Sequence, residues 1–156
     1  MAGLIVDVAH ASPAVVDDVL KIATRPFVIS HTGVRGACDS PRNLSDEQMR
    51  GIAAKGGLIG IGYWDGAVCD PTPAATARAI RHVRDLIGID HVALGSDFDG
   101  SVTTGFDTAQ LAAVTQALID AGLRDSEIAA VMGGNAVRLL RQGLPPRGSF
   151  RRRHLA

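Results

Sequence analysis

Four residues in this chain have the types and positions for chemistry: His10, His31, Arg42 and Asp97. His10 closes the apolar run LIVDVA, and His31 follows PFVIS. Strand alternation puts Leu4, Val6, Val8 and His10 on one face, and Phe27, Ile29 and His31 on one face of the next strand. If neighbouring strands turn those faces inward, the two imidazoles converge, and neutral imidazoles are good ligands for Zn²⁺. The plainer alternative is two polar strand ends that cap loops by hydrogen bonds. Asp97 lies in LGSDFDG, on one face with Ala93 and Gly95, so the small residues beneath it leave room for a ligand. A carboxylate there, next to an activated water, can take and return a proton. The alternative is an Asx-type turn, which is the reading for Asp99–Gly100. Arg42, in CDSPRN, carries a guanidinium suited to bidentate grip on a carboxylate, with a solvated loop charge as the plainer reading. Asp7, opposite His10 in alternation, should face the helix layer unless a bulge intervenes, in a structural hydrogen-bonding role. His82 reads as part of a solvated helix face, His91 as a strand start away from the chemistry, and His154 as tail.

The elements that must position these residues follow a repeat. Leu4–Ala9 reads as a strand, then Ser12 caps and Pro13 opens a helix with an apolar stripe of Val15, Val16, Val19, Leu20 and Ile22. PFVIS (26–30) is a second strand. Ser45 and Gln48 form a capping box for the next helix. GLIGIG (57–62) is a third strand. Thr72, Pro73 and Gly88 bound a helix whose stripe is Ala79, Ile80, Val83, Leu86 and Ile87. HVALG (91–95) is a fourth strand, and two further helical stretches follow. This βα repeat predicts a parallel sheet with strands buried on both faces. Two architectures fit: an open doubly wound sheet, or part of a (β/α)8 TIM-type barrel. The glycine-rich phosphate fingerprint is absent after the first strand, where the chain reads HASPAV. His10, His31, the Tyr63–Trp64–Asp65 cluster and Asp97 all fall at C-terminal strand ends, the rim where barrels assemble their chemistry. Four units make half of such a barrel, over residues 1–143.

The chain has 156 residues, 46% apolar and only 4% aromatic, so its core is built from Ala, Val, Ile and Leu. Formal net charge is zero, but Arg147, Arg151, Arg152 and Arg153 cluster at the end. Without those four, a body of about −4 remains, which argues against a nucleic-acid surface. Residues 144–156 read as a disordered basic tail. No run approaches a membrane span, and MAGLIVDVAHASPAVV lacks the basic start of a signal peptide. If that N-terminus is native, the expected location is cytoplasmic; otherwise the compartment is open. Cys38 and Cys69 are either free thiols or one bridge.

The segments LIVDVAHAS, VISHTGVRGACDSPRNLSDEQMRGIAAKGGLIGI, DHVALGSDFDG and VMGGNAVRLLR resemble, in order, the membrane (renal) dipeptidase family, the M19 metallopeptidases. The resemblance covers about residues 3 to 141. It implies a (β/α)8 barrel with two zinc ions at its C-terminal rim, and hydrolysis of dipeptides and related small amides. By motif, His10 and His31 match the histidines of the second zinc. Arg42 matches the arginine that holds the substrate's C-terminal carboxylate, and Asp97 matches the proton shuttle and substrate contact. The family's His-x-Asp pair, bridging glutamate and carbonyl-polarising histidine have no counterpart here. The chain therefore resembles the back half of the enzyme, and MAGLIVDVAH reads as an internal strand.

Three readings follow. One is the back half of a zinc dipeptidase, active only with a missing N-terminal half. Another is an inert remnant that self-associates through its open strand edges. The last is a different metal-dependent barrel amidohydrolase.

Overall fold

A computed structural model describes residues 4–144 of the chain. In chain order the elements are α1 (Pro13–Ile22), β1 (Val28–Thr32), α2 (Asp46–Ala54), β2 (Leu58–Ile61), α3 (Asp65–Val68), α4 (Pro73–Ile87), β3 (Val92–Leu94), α5 (Leu111–Asp120), α6 (Asp125–Ala129) and α7 (Asn135–Gly143). A π-helical turn, Ala130–Gly134, joins α6 to α7. The expected tail lies outside the described residues, apart from Leu144.

Local chemistry sets the helix starts. Ser12 accepts from the Val15 N–H with Pro13 at the first turn, and Thr72 accepts from the Ala75 N–H ahead of Pro73. Ser45 and Gln48 satisfy each other's backbone N–H groups, completing the expected box. Gly88 ends α4 at φ 93°, a conformation that glycine adopts without a Cβ penalty.

The strands are parallel in the order β1-β2-β3. Parallel neighbours in sequential order, joined by right-handed crossovers, put every connecting helix on the same side. That winding belongs to a barrel. A doubly wound sheet reverses its strand order and carries helices on both faces. Phe27, Ile29, Ile59, Ile61 and Val92 form one core with Met49 and Ile52 of α2 and Ile80 and Val83 of α4, all 3% exposed or less. Full burial of each such side chain stabilises the fold by about 1.5–3 kcal/mol.

Several expectations are corrected. Leu4–Ala9 is not a strand but makes a single parallel bridge, Asp7 to Val28, with Val8 N–H donating to Val28 O and Val28 N–H donating to Val6 O. It lies at the sheet edge, with a neighbour on one side only, and the chain turns away at His10. Leu4 and Val6 are 76% and 57% exposed, so burial on both faces fails there. The α1 stripe fails in part for the same reason: Val16 is buried, but Val15 and Ile22 are exposed. A short helix, α3, was not anticipated between β2 and α4. The opposite face of the sheet is not left bare. Val28, Leu58 and Ala93 alternate with the core residues, and with Ile5 they pack against Ala136 and Leu139 of α7. This helix crosses the N-terminal ends of the strands, where the Asn135 amide donates to Ile89 O and Val92 O.

Candidate active site

Strand alternation does not aim the histidines. Val8, Phe27 and Ile29 belong to the core that faces the helices, so their faces are not the barrel interior as expected. Two departures from regular strand geometry bring the imidazoles round. In β1 the register slips between Ile29 and Thr32, whose partners Ile59 and Ile61 are only two residues apart. The extra residue makes a bulge, which re-aims a side chain at a strand end. Ser30 and His31 consequently line the same hollow. His10 reaches it through a left-handed backbone, φ 64°, and Asp97 is turned likewise at φ 60°. Asp7 keeps the structural role expected of it, on the face opposite to the one expected. Its Oδ1 accepts from the N–H groups of Ala9 and Ser30. Partial burial pushes the Asp7 carboxyl up, but hydrogen bonds from Ser30 and Ala9, with the nearby His31, outweigh it and hold it below the usual carboxylate range.

His10, Ser30, His31, Gly95, Ser96 and Asp97 line an open hollow of about 510 Å³ at the C-terminal ends of the strands. Three of the four residues singled out from the sequence, His10, His31 and Asp97, line it, and the fourth, Arg42, lies beside His10. His10 Nε2 and His31 Nε2 are 2.9 Å apart. Asp97 Oδ1 is 3.9 Å from His31 Nε2. Arg42 Nη2 is 3.2 Å from His10 Nδ1. The small residues under Asp97 serve close packing and not open space: a Cβ on Gly95 would lie 2.3 Å from Ser30 O, and one on Gly60 2.1 Å from the same oxygen.

These contacts fix the imidazole tautomers when both rings are neutral. Arginine only donates, so His10 Nδ1 accepts. The His10 proton therefore sits on Nε2 and is donated to His31 Nε2. His31 then carries its proton on Nδ1, facing Ser30 Oγ at 3.0 Å.

Arg42 belongs to a loop that closes on itself. Leu44 N–H donates to Gly33 O, and Arg35 donates to Asn43 O and Pro41 O from inside. Two links tie this loop to α3. Buried Asn43 donates its amide to Cys38 O and Ala67 O. Cys38 and Cys69, open in the sequence between thiols and a bridge, form a disulfide with Cα atoms 5.4 Å apart. The Tyr63–Trp64–Asp65 cluster divides. Tyr63 enters the core, Asp65 accepts from the Gly66 N–H at the start of α3, and Trp64 reaches the site. His82 is not a free solvated side chain: its Nε2 lies 3.1 Å from Asp46 Oδ1. His91 sits away from the hollow, its Nδ1 2.9 Å from Gly57 O.

The donor set fits one side of a zinc site. Two imidazole nitrogens on a tetrahedral zinc stand about 3.3 Å apart, so His10 and His31 need little movement. Among the described residues, no group of three or more His, Cys, Asp and Glu side chains is arranged to hold a metal ion. No described helix is long and apolar enough to cross a membrane.

Sequential parallel strands with a histidine and carboxylate rim define a segment of a (β/α)8-type barrel. The chain belongs to the membrane dipeptidase family (peptidase family M19), whose profile matches residues 1–144. It is 32% identical over 147 residues to dipeptidase verJ of Clonostachys rogersoniana, covering 88% of this chain and 37% of that one. It is 39% identical over 102 residues to an uncharacterized protein in the pqqA 5′ region of Klebsiella pneumoniae, covering 61% and 38%. It superposes with TM-score 0.83 and 25% identity on a metallo peptidase from Rhodobacter sphaeroides liganded with a phosphinate mimic of the dipeptide L-Ala-D-Ala, covering 90% of this chain and 43% of that one. The chain thus spans a little over a third of the length of these curated relatives.

Proposed function

We propose that this chain carries the substrate-anchoring and proton-transfer side of a zinc-dependent dipeptidase site. The observation that supports this reading best is that His10, His31 and Asp97 share one hollow with Arg42 beside His10, in a chain of the dipeptidase family. His10 and His31 would hold one zinc ion, which supplies Lewis-acid chemistry and makes water acidic enough to react near neutral pH. Arg42 binds the C-terminal carboxylate of a dipeptide and so sets which peptide bond lies over the hollow. Asp97 takes a proton from the attacking water as its oxygen bonds to the carbonyl carbon. It returns that proton to the leaving amine as the C–N bond breaks.

Two imidazoles fall short of the three protein ligands usual for a catalytic zinc. Our reading therefore makes this chain the back half of the barrel, with full activity requiring a front-half partner that supplies further ligands. The free edge of the Leu4–Ala9 segment is where such a partner, or a second copy of the chain, would pair. The same shortage of ligands favours a second reading, a catalytically inert chain that binds substrate without turning it over.

The test is zinc content by elemental analysis, together with hydrolysis of a simple dipeptide in added Zn²⁺, for the chain alone and mixed with a front-half chain from a family relative. Weak zinc retention, and turnover only in the mixture, is the expected result. No turnover in the mixture sinks the dipeptidase reading, and full turnover by the chain alone sinks the half-site reading.

A further inference from the structure

We propose that Trp64 is the positioning residue for Arg42: its indole holds the guanidinium where it can grip a substrate carboxylate. The proposal rests on the reading that Arg42 binds that carboxylate. Arg42 Cζ lies over the Trp64 ring, 5.0 Å from its centroid, within cation–π range. Arg42 is itself exposed and sits at the tip of a loop, where an arginine side chain ordinarily samples many rotamers. The indole removes that freedom by engaging the cation through the ring face, while the in-plane N–H fork remains available for a bidentate partner.

The indole is fixed more firmly than the arginine it holds. Trp64 is only 6% exposed. It occupies a slot that two glycines make possible. A Cβ on Gly62 would lie 1.8 Å from the ring carbon Cζ3, and one on Gly66 would lie 2.8 Å from Nε1. The backbone of Trp64 is bridged to Thr104. The same ring meets His31 edge-on, with centroids 6.0 Å apart. Arg42 thus lies between a rigid aromatic face and the Nδ1 of His10, a residue that lines the hollow.

Trp64 is the only tryptophan in the chain, so its fluorescence reports this contact directly. The first measurement compares emission of the native chain with Arg42→Ala and Arg42→Lys. Arg42→Ala should shift or brighten the emission, and Arg42→Lys should fall between. Unchanged emission in Arg42→Ala means that the contact does not form, and it overturns the proposal without any change at Trp64. The second measurement compares binding of Ala-Ala with that of its C-terminal amide by calorimetry. Trp64→Leu should lower the preference for the acid about five- to tenfold, and Trp64→Phe should restore most of it. An unaltered preference in a folded Trp64→Leu chain also overturns the proposal. If the native chain does not prefer acid over amide, the carboxylate reading of Arg42 fails instead, and the emission result decides alone whether Trp64 positions the arginine.

Discussion

Opening the Cys38–Cys69 bridge should weaken the fold and loosen the Arg42 loop together. The two cysteines are 31 residues apart, and the closed segment contains the Arg42 loop, α2 and β2. Cross-linking across that separation removes loop-closure entropy from the unfolded chain worth about 3.7 kcal/mol at 25 °C. For a chain of this size, the unfolding entropy converts this to a fall in melting temperature of about 10 °C. Asn43 still spans the same gap through Cys38 O and Ala67 O, so the folded loop should loosen and not detach. The assay is thermal unfolding by circular dichroism, with and without a phosphine reductant. Cys38→Ser/Cys69→Ser serves as the reference for a broken bridge. The oxidised chain should resist alkylation by iodoacetamide, and the reduced chain should melt near the double mutant. A fall under about 2 °C would refute the entropic argument, since neither Asn43 nor residual unfolded structure accounts for so complete a loss. Thiols that alkylate without reductant would refute the bridge itself.

Two further outcomes follow from single residues. Burial pushes the Tyr63 phenol well above its ordinary value of 10.0, so it should stay protonated in the folded chain. The folded value is the raised one, so the stability linked to Tyr63 is intact below pH 10 and is lost as the pH climbs further. Because Tyr63 is the only tyrosine, absorbance near 295 nm should show no ionisation near pH 10 until the chain unfolds, and a normal titration would contradict its burial. Gly62→Ala should destabilise the fold by about 1–3 kcal/mol, because its methyl group overlaps the Trp64 ring. It should also shift Trp64 emission, whereas Gly122→Ala, where a Cβ meets nothing within 4 Å, should cost stability through its φ of 81° and leave the emission alone.

What could be read in the sequence was what local chemistry decides. Ser12, Ser45 and Thr72 announce helices because their caps satisfy N–H groups only a few residues away. The βα repeat points to the parallel sheet, and the reactive residues at C-terminal strand ends, with the family resemblance, point to the barrel, which the strand order β1-β2-β3 bears out. The sequence points to His10, His31, Arg42 and Asp97 as candidates, and the structure sets them near one another by a route that alternation does not show. Regular alternation was assumed for His10 and His31, and a bulge in one case and a left-handed residue in the other override it. Nothing local marks either departure, since neither histidine is a glycine and no turn dipeptide flanks them. The disulfide stayed open because spacing says nothing about distance in space. Trp64 was placed at the rim, but the arginine above it comes from a separate loop, and GYWDG carries no trace of that contact.

The two ends of the sheet solve different problems. At the N-terminal end, α7 lays Ala136 and Leu139 over Val28, Leu58 and Ala93 and satisfies backbone carbonyls through Asn135. The contacts there are mostly apolar, and they serve stability. At the C-terminal end, two of the four site residues sit at positive φ, a conformation that costs a non-glycine residue about 1–2 kcal/mol. A glycine at position 10 or 97 would relieve that cost and remove the side chain with it. The strain persists because neighbours over-determine it. His10 is held between His31 and Arg42, and Asp97 by the turn in which Gly100 N–H donates to its carbonyl. In barrels, chemistry collects at the C-terminal rim and stability at the opposite face. The three-stranded sheet of this chain has the same polarity, with the packed α7 end opposite the end that carries the candidate residues.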